Sequence, residues 1–443
     1  MRPIAIDLFA GAGGMSLGFE QAGFDVAAAV EIDPVHCAVH KFNFPTTAVI
    51  ARSVERLSGG EIRLAAGIGN RPVDCVFGGA PCQGFSLIGH RVLDDPRNRL
   101  VLEFVRIVAE LEARTFVFEN VKGLTVGPHK AFLHELAAAF DAHGYDVQLP
   151  WRVLNAAEYG TPQSRERLIL FGARRGHALP SYPEPLTQIA GRKAKRGDLP
   201  MGPTCADALD DLPDAEGFDR LWASDWVETK AFRKPSRYAA ALRCTTNDAW
   251  HFGHPRIWTP SVLTSSARTD HTDISRRRFG ETSEGDNEPI SRLFKLPAFG
   301  VCNTLRAGTD GSRGAFTSPR PIHYRYDRCI TVREMARLHG FPDWFRFNVT
   351  KWHGARQIGN AVPPPLARAV AACVIEALGI TPARPEKAIS LGDPALLDMD
   401  ISRASAHFGI KPPQSGRDRK SGAKKRKQID IEREMVAARV AHG

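Results

Sequence analysis

The sequence lacks the features that mark several classes of protein. None of its eight cysteines belongs to a Cys-x-x-Cys pair, so a structural zinc site is not expected. No apolar run is long enough to cross a bilayer, and Asp7 interrupts the apolar stretch that a signal peptide would need near the N-terminus. These absences predict a cytoplasmic protein with reduced thiols, no metal site and no membrane partner.

Length and charge indicate the domain organisation and the kind of partner. A chain of 443 residues exceeds one ordinary core, which predicts two domains or one large domain with an insertion. The net charge of +10 favours a polyanionic partner. More than half of this surplus lies in residues 411–442, which contain ten Lys or Arg and four Asp or Glu. The rest of the chain is only mildly basic, so charge alone does not identify a nucleic acid as the partner.

Short apolar runs alternate with segments of helical pattern over residues 4–173. This alternation predicts a parallel sheet that is covered by helices on both faces. Chemically distinctive residues follow four of the runs, namely Asp7 with a glycine-rich turn, Glu31, Cys82 and Glu119. Because the carboxyl ends of parallel strands form the ligand crevice of such folds, we expect these four positions to converge.

Cys82 lies on a turn that two glycines and Pro81 create after the apolar run at residues 73–77. A thiol at the end of a strand can be approached by a substrate and can act as a nucleophile. The alternative is a buried cysteine that packs as a small hydrophobic residue.

The glycine-rich turn at residues 11–14 allows a ligand to approach the backbone closely, as in the first unit of a nucleotide-binding fold. Ser16 stands where the dinucleotide fingerprint has its last glycine, which disfavours a nicotinamide dehydrogenase. Glu31 follows Gly11 by twenty residues, about the distance at which an acid meets ribose hydroxyls. The alternative for Glu31 is a solvated or helix-capping acid.

A series of stretches resembles, in order, the motifs of the DNA cytosine-5 methyltransferase family. They are Asp7-Leu8-Phe9-Ala10-Gly11-Ala12-Gly13-Gly14, Glu31, Pro81-Cys82-Gln83, Glu119-Asn120-Val121, Gln163-Ser164-Arg165-Glu166-Arg167, Arg333-Glu334-Met335-Ala336-Arg337-Leu338 with Gly340-Phe341-Pro342, and Gln357-Ile358-Gly359-Asn360. Thr304-Leu305 is similar to the threonine-containing dipeptide of the family's recognition domain. The resemblance covers most of residues 4–378.

The resemblance implies a fold and a division of the chain. The expected fold is α/β, a Rossmann-like S-adenosylmethionine-dependent methyltransferase with a doubly wound, mostly parallel sheet and an inserted, smaller, irregular target-recognition domain. The expected divisions are a catalytic and cofactor-binding domain at 1–173, the recognition domain at 174–328, a return to the catalytic domain at 329–379, and a C-terminal extension at 380–443 with a basic, disordered tail.

The resemblance also implies the catalytic residues. Cys82 is expected to add to carbon 6 of cytosine, and Glu119 to supply a proton to ring nitrogen 3. Arg167 is expected to hold the ring carbonyl, with Arg165 supporting Glu119 or the substrate. A surface salt-bridge pair is the alternative for the two arginines.

The implied cofactor is S-adenosylmethionine. The residues expected to bind it are Asp7, Phe9, Ala10, Gly11, Gly13, Gly14, Glu31, Ile32, Ser53, Val54, Pro81, Leu100, Asn360 and Val362. Ser53 departs from the family, which usually places an aspartate there for the adenine. Ser53 or a backbone group is therefore expected to hold the adenine amine.

The implied substrate is double-stranded DNA with its target cytosine flipped out of the helix. The residues expected to contact the DNA are Gln83, Ser86, Arg97, Thr304, Leu305 and Arg306. The expected enzyme is a DNA (cytosine-5-)-methyltransferase that acts as a monomer at a specific sequence, is associated with the nucleoid through DNA, and protects the host beside a cognate restriction endonuclease. A solitary methylase, a tRNA cytosine methylase and a catalytically inactive DNA-binding module are the alternatives.

The basic tail gives the first prediction. If Lys420, Lys424, Lys425, Arg426 and Lys427 contact phosphates, removing the residues after Lys411 should flatten the slope of log affinity against log salt by roughly 2–4 units, at about 0.9 per contact. Binding should weaken for all sequences alike, since phosphates carry no sequence information. Identical slopes with and without the tail, measured by DNA titration at several salt concentrations, would indicate an idle extension.

Overall fold

A sheet of eight strands forms the centre of the protein. The computed structural model describes residues 2–81, 98–125, 130–193, 197–309 and 318–412. The strands are β1 (Ile4–Leu8), β2 (Asp25–Glu31), β3 (Ala48–Ala51), β4 (Cys75–Gly78), β5 (Thr115–Val121), β6 (Tyr145–Val147), β7 (Arg152–Asn155) and β8 (Glu166–Arg174). Their order is β3-β2-β1-β4-β5-β8-β6, with β7 also paired to β8. The pairs from β3 to β5 are parallel, whereas β8 runs antiparallel to its neighbours. The predicted mostly parallel α/β fold is confirmed.

Helices and short strands complete the described part of the chain. The helices are α1 (Gly14–Ala22), α2 (Pro34–Asn43), α3 (Gly59–Ala65), α4 (Arg99–Glu110), α5 (Lys130–Ala142), α6 (Cys205–Leu209), α7 (Arg237–Leu242), α8 (Asp273–Glu281), α9 (Val332–His339), α10 (Lys351–Asn360), α11 (Pro364–Ala377) and α12 (Ile401–His407). The short strands are β9 (Val227–Glu228), β10 (Arg256–Ile257), β11 (Val262–Leu263) and β12 (Ile389–Ser390). Between residues 174 and 328 the elements are short, in agreement with the expected irregular insert.

Alternate residues of each central strand enter two different cores, because successive side chains point to opposite faces of a sheet. Phe116 and Phe118 of β5 pack on the face covered by α4 and α5, whereas Val117 packs on the face covered by α1 and α11. The apolar runs read as continuous in sequence because both faces are buried. The sheet is therefore doubly covered, and its carboxyl edge remains for a ligand.

The second core does not follow the predicted domain boundary at residue 328. It combines Leu209 and Leu305 of the insert with Met335 of α9, with Phe345 after α9, and with Ile358 of α10. α11 packs on the catalytic sheet instead. The insert and the segment from α9 to α10 thus share one hydrophobic core, although the chain between them crosses the expected boundary.

Buried arginines join α9 to the insert. Arg337 is fully buried and its guanidinium donates to the carboxylates of Asp211, at 3.0 Å, and Asp343, at 2.5 Å. Arg328 donates at 2.8 Å to Glu334, the residue that completes the capping box of Thr331 at the start of α9. A buried arginine needs such carboxylate partners, since an unpaired buried charge strongly destabilises a protein. The contact between α9 and the insert therefore combines apolar packing with ion pairs that fix the position of the helix.

The beginning of the predicted C-terminal extension contains the folded elements β12 and α12. β12 pairs with β10 of the insert, and α12 packs against α2. Leu396 and Leu397 enter a core with Phe42 of α2. Residues 413–443, which contain most of the basic tail, lie outside the described residues.

Residues Lys351–Ala377 have the length and mean hydropathy, 1.3, of a membrane-spanning helix. The described chain breaks this stretch between α10 and α11 at Ala361–Pro363, so neither helix reaches the roughly 20 residues that a span requires. In addition, 67% of the apolar window is buried inside the protein. These features are those of core helices.

Candidate active site

The glycine-rich turn after β1 has the open geometry that a ligand needs. Phe9, Gly11 and Gly13 have positive φ angles of 63°, 56° and 99°. A Cβ atom on Gly13 would lie 2.5 Å from the ring of Phe44, whereas a Cβ on Gly11 would meet nothing within 4 Å. The turn is thus closed on the side of α2 and open at Gly11. Ala10 hydrogen-bonds from its N–H to the carbonyl of Val30, which ties the turn to β2.

Glu31 faces this turn from the end of β2. Its Oε2 accepts from Gly11 N at 2.8 Å, and its Oε1 accepts from the N–H groups of Ile32 and Asp33, each at 2.8 Å. Oε1 thus has both of its acceptor sites in use, whereas Oε2 keeps one that is suited to a ribose hydroxyl. The neighbouring Ile32 side chain is 64% exposed, an apolar surface suited to an adenine face. The turn, Glu31 and Ile32 together fit S-adenosylmethionine.

Asp7 lies behind the turn, which differs from its predicted direct contact with the cofactor. Its carboxylate is buried and accepts a 2.5 Å hydrogen bond from Ser16 Oγ, which also lies 3.1 Å from His40 Nε2. Burial raises the pKa of Asp7 well above its ordinary value and lowers the pKa of His40 to about 3. Asp7 therefore stabilises the turn from inside, because its position in β1 directs it into the protein.

The other predicted cofactor residues occupy five segments of the chain. Ser53 is half-buried and caps the one-turn 3-10 helix Val54–Arg56. Leu100 of α4 is half-buried and packs on the same core as Phe9. The remaining residues are Gly14 at the start of α1, Pro81, which is exposed after β4, Asn360, which is exposed at the end of α10, and Val362, which is buried beside Gly14.

Glu119 and Arg167 form an ion pair across two adjacent strands. Arg167 Nε lies 2.8 Å from Glu119 Oε1, and both side chains are mostly buried. The pair arises because β5 and β8 are antiparallel, with Val121 directly opposite Arg167. On its other side, Glu119 Oε2 would lie 2.3 Å from a Cβ atom on Gly79. The carboxylate is therefore confined between the arginine and the backbone that leads towards Cys82.

Burial gives Glu119 the protonation properties of an acid catalyst. It raises the pKa of the Glu119 carboxyl above the ordinary value, although the charges of Arg167 and Arg165 act in the opposite direction. The next residue, Asn120, donates from Nδ2 to the carbonyl of Ala80 at 2.9 Å. This bond ties the end of β5 to the turn after β4. Carboxyl and turn thus have a fixed relative position.

Arg165 is placed differently from the predicted partner of Glu119. Its guanidinium is buried and donates to the carbonyls of Leu305, at 2.8 Å, and Gly359, at 2.7 Å. It contributes positive charge near Glu119, but these two hydrogen bonds direct it towards the insert and α10. Its geometry is that of a positioning residue. The surface salt-bridge alternative does not fit either arginine, since neither is exposed.

An open groove of about 560 Å³ lies beside the ion pair, and distant parts of the chain line it. It includes Arg167 and Lys122 from the catalytic side, and Arg192, Asn303 and Thr304 from the insert. Of the predicted DNA contacts, Thr304 and Arg306 are exposed. Leu305 is 1% exposed, so its side chain belongs to the second core and not to a DNA-facing surface. Cys82, Gln83, Ser86 and Arg97 lie outside the described residues.

Several residues of the site were not singled out from the sequence. Asn120 belongs to a recognised motif and Gly79 lies in the turn before Pro81, but only the close packing of β4 on β5 shows what they contact. Ser16 and His40 are neighbours of Asp7 through the fold alone. Asn303 precedes the predicted Thr304-Leu305 dipeptide, and its place next to that pair was the available signal.

Comparisons with known proteins identify relatives of this chain in sequence and in fold. A family model for C-5 cytosine-specific DNA methylase matches residues 4–376. The type II methyltransferase M.XorII of Xanthomonas oryzae pv. oryzae is 55% identical over 437 residues, or 99% of this chain and 100% of that protein. M1.HphI of Haemophilus parahaemolyticus is 32% identical over 84% of this chain and 86% of its own length. A crystal structure described as a prophage-encoded DNA modification methyltransferase from E. coli has a TM-score of 0.66 and 32% identity, over 85% of this chain and all of its own.

The confinement of Glu119 gives a prediction. Gly79→Ala should displace the carboxylate, because the new Cβ would lie 2.3 Å from Oε2, and methyl transfer should fall by about 100-fold or more, as expected for a misplaced catalytic group. Gly60→Ala in α3 is the matched control, since its Cβ would lie no closer than 3.9 Å to a neighbour and Gly60 is not among the residues that line the groove. Single-turnover rates with saturating DNA and cofactor would measure both. Equal rates for the two variants would contradict the proposed constraint.

Proposed function

The chain belongs to the family of C-5 cytosine-specific DNA methylases, and on this premise we propose that it methylates a flipped-out cytosine at a specific sequence through a covalent bond to Cys82. It is a C-5 cytosine DNA methyltransferase of the type II restriction-modification type. It uses S-adenosylmethionine and acts on double-stranded DNA. The predicted resemblance, enzyme class and cofactor are thereby confirmed.

The placement of Glu119 is the observation that best supports this chemistry. Carbon 5 of cytosine is a weak nucleophile until a group adds to carbon 6. Such addition moves electrons to ring nitrogen 3, which then needs a proton. A buried carboxyl with a raised pKa, 2.8 Å from Arg167 and against Gly79, is suited to donate that proton.

The residues of this chain can carry the reaction in three steps. The Cys82 thiolate bonds to carbon 6 while Glu119 gives its proton to nitrogen 3, and the ring becomes an enamine. S-adenosylmethionine would supply an electrophilic methyl group to carbon 5 of the enamine and leave as S-adenosylhomocysteine. Carbon 5 then gives its proton to water, Cys82 leaves carbon 6 as a thiolate, and nitrogen 3 returns its proton to Glu119. Arg167 holds the ring carbonyl by charge-assisted hydrogen bonds.

A base inside the duplex cannot reach this site, so the cytosine must rotate out of the helix. The groove beside Arg167 is open to solvent and receives Thr304 and Arg192 from the insert. This arrangement supports a flipped base entering between the two domains while the insert contacts the flanking duplex. Recognition of the sequence is assigned to the insert at residues 174–328, which includes Arg306.

The biological role follows from the type of enzyme. Methylation at one specific sequence protects host DNA from an endonuclease that cuts the same site, and we assign this role to the chain as a monomer. A tRNA cytosine methylase is disfavoured, because the insert is long and has its own elements α6, α7 and α8.

The nucleophile gives the next prediction. Cys82→Ser should lose methyl transfer by about four orders of magnitude or more while still binding DNA, because a serine hydroxyl is a much weaker nucleophile than a thiolate. Wild-type protein should form a denaturation-resistant adduct with DNA containing 5-fluorocytosine, since fluorine cannot leave as a proton does.

Cys373→Ser is the matched control, because Cys373 is a partly buried free thiol in α11. It should keep both the activity and the adduct. Gel electrophoresis of the fluorocytosine complex and transfer of a labelled methyl group measure the two properties. An adduct that persists in Cys82→Ser, or full activity of that variant, would refute the assignment.

A further inference from the structure

The backbone of Leu305 is held at both of its polar groups by two side chains of one short segment. Gln163 Oε1 accepts from Leu305 N at 3.0 Å, and Arg165 Nη1 donates to Leu305 O at 2.8 Å. Gln163 and Arg165 are two residues apart in an extended segment, so their side chains point the same way. Both side chains are buried. The peptide between the exposed Thr304 and Arg306 is thus fixed from inside the protein.

The same two side chains continue to the turn between α10 and α11. Arg165 Nη2 donates to Gly359 O at 2.7 Å. Gln163 Nε2 lies 2.9 Å from His339 Nδ1, and His339 Nε2 lies 3.0 Å from Ala361 O. Two parallel bridges therefore run from Leu305 to Gly359 and Ala361.

The hydrogen-bond partners of the His339 ring determine which of its two nitrogens carries a hydrogen. A carbonyl oxygen can only accept, so His339 Nε2 carries the hydrogen that is donated to Ala361. A neutral imidazole then has an acceptor at Nδ1, which fits donation from the Gln163 amide. Burial lowers the pKa of His339 well below its ordinary value, in agreement with the neutral form. Every polar atom of the bridge from Leu305 to Ala361 has a matching partner.

Close backbone packing reinforces the bridges. A Cβ atom on Gly359 would lie 2.3 Å from Ala307 N and 2.4 Å from Arg306 C, so the backbone after Leu305 rests directly on α10. At the other end of the turn, a Cβ atom on Gly14 would lie 2.6 Å from Val362 O. The segment with Thr304 and Arg306, the turn at 359–362 and the glycine turn of the cofactor site are therefore packed in series.

We propose that Gln163, Arg165 and His339 are positioning residues that couple DNA binding to cofactor binding by holding the Thr304–Ala307 backbone against the turn at 359–362. DNA contacts Thr304 and Arg306, and the cofactor contacts the glycine turn. Both ligands therefore stabilise the same position of the Thr304–Ala307 backbone. Each ligand then strengthens the binding of the other by the same factor, as linkage requires. The inference rests on the proposed DNA contacts of Thr304 and Arg306.

The test measures this factor directly. The dissociation constant of S-adenosylhomocysteine is determined by calorimetry with and without a duplex containing the site that bisulfite sequencing maps in DNA from expressing cells. Wild-type protein should bind it about fivefold or more tightly with DNA. His339→Leu should reduce this ratio to near one, with each ligand's separate affinity changed far less. His339→Gln should restore the ratio, because its amide again offers one acceptor and one donor.

His323→Leu is the matched control. His323 is another buried histidine with a pKa lowered to about 4, and its Nδ1 accepts from Arg325 N outside the bridge. This variant should keep the wild-type ratio. A wild-type ratio near one, or an unchanged ratio in His339→Leu, would overturn the coupling. By contrast, an absence of 5-methylcytosine in the bisulfite map would contradict the proposed function and not the coupling.

Hydrogen exchange provides a second measurement if His339→Leu does not fold. In wild-type protein without DNA, S-adenosylhomocysteine should slow exchange of the Leu305 amide, which is bonded to Gln163. Exchange that stays the same at Leu305, while it slows at Gly11 and Ile32, would also overturn the inference.

Discussion

The burial of one carboxyl group constrains the whole active site. Glu119 is confined between the guanidinium of Arg167, at 2.8 Å, and the backbone at Gly79. A charged carboxylate would be costly in such surroundings, which is why burial raises its pKa and favours the protonated form. The antiparallel pairing of β5 with β8 and the parallel pairing of β4 with β5 are both needed to build this confinement.

The same segment that supplies Arg167 also organises the rest of the molecule. Gln163, Arg165 and Arg167 alternate along an extended stretch, and all three side chains point towards the junction of the two cores. Arg167 reaches the catalytic carboxyl, while Gln163 and Arg165 reach the backbone of Leu305. Placement of the catalytic acid and placement of the recognition segment therefore share one structural element.

The fold could be predicted from the sequence wherever burial leaves a clear pattern. The apolar runs at residues 4–6 and 115–118 predict β1 and β5, and Gly340 marks the end of α9. The antiparallel direction of β8 was not predicted, because an apolar run carries no information about its direction. α10 was missed as a helix, because two glycines and a histidine interrupt its pattern.

The sequence predicted which residues form the candidate site better than it predicted what those residues contact. Glu31 and Glu119 lie at strand ends as expected, since the topology alone brings those ends together. The buried position of Asp7 and Leu305, and the direction of Arg165, depend on packing between segments far apart in sequence. Arg328 and Arg337 at the α9 junction are buried against Asp214 and Asp211 of the insert, and Arg333 donates to the hydroxyl of Thr264. Sequence spacing does not reveal these pairings.

Titration of the Glu119 carboxyl itself tests the central claim most directly. Infrared difference spectra of the wild-type protein, with Glu119→Gln as the reference that removes this group, would report the protonated carboxyl band as pH is varied. The account predicts that the band persists above the pH at which an ordinary glutamate ionises, because burial outweighs the charges of Arg167 and Arg165. A band that disappears at or below the ordinary pH would show that the ion pair dominates, and would contradict the role of Glu119 as a buried acid.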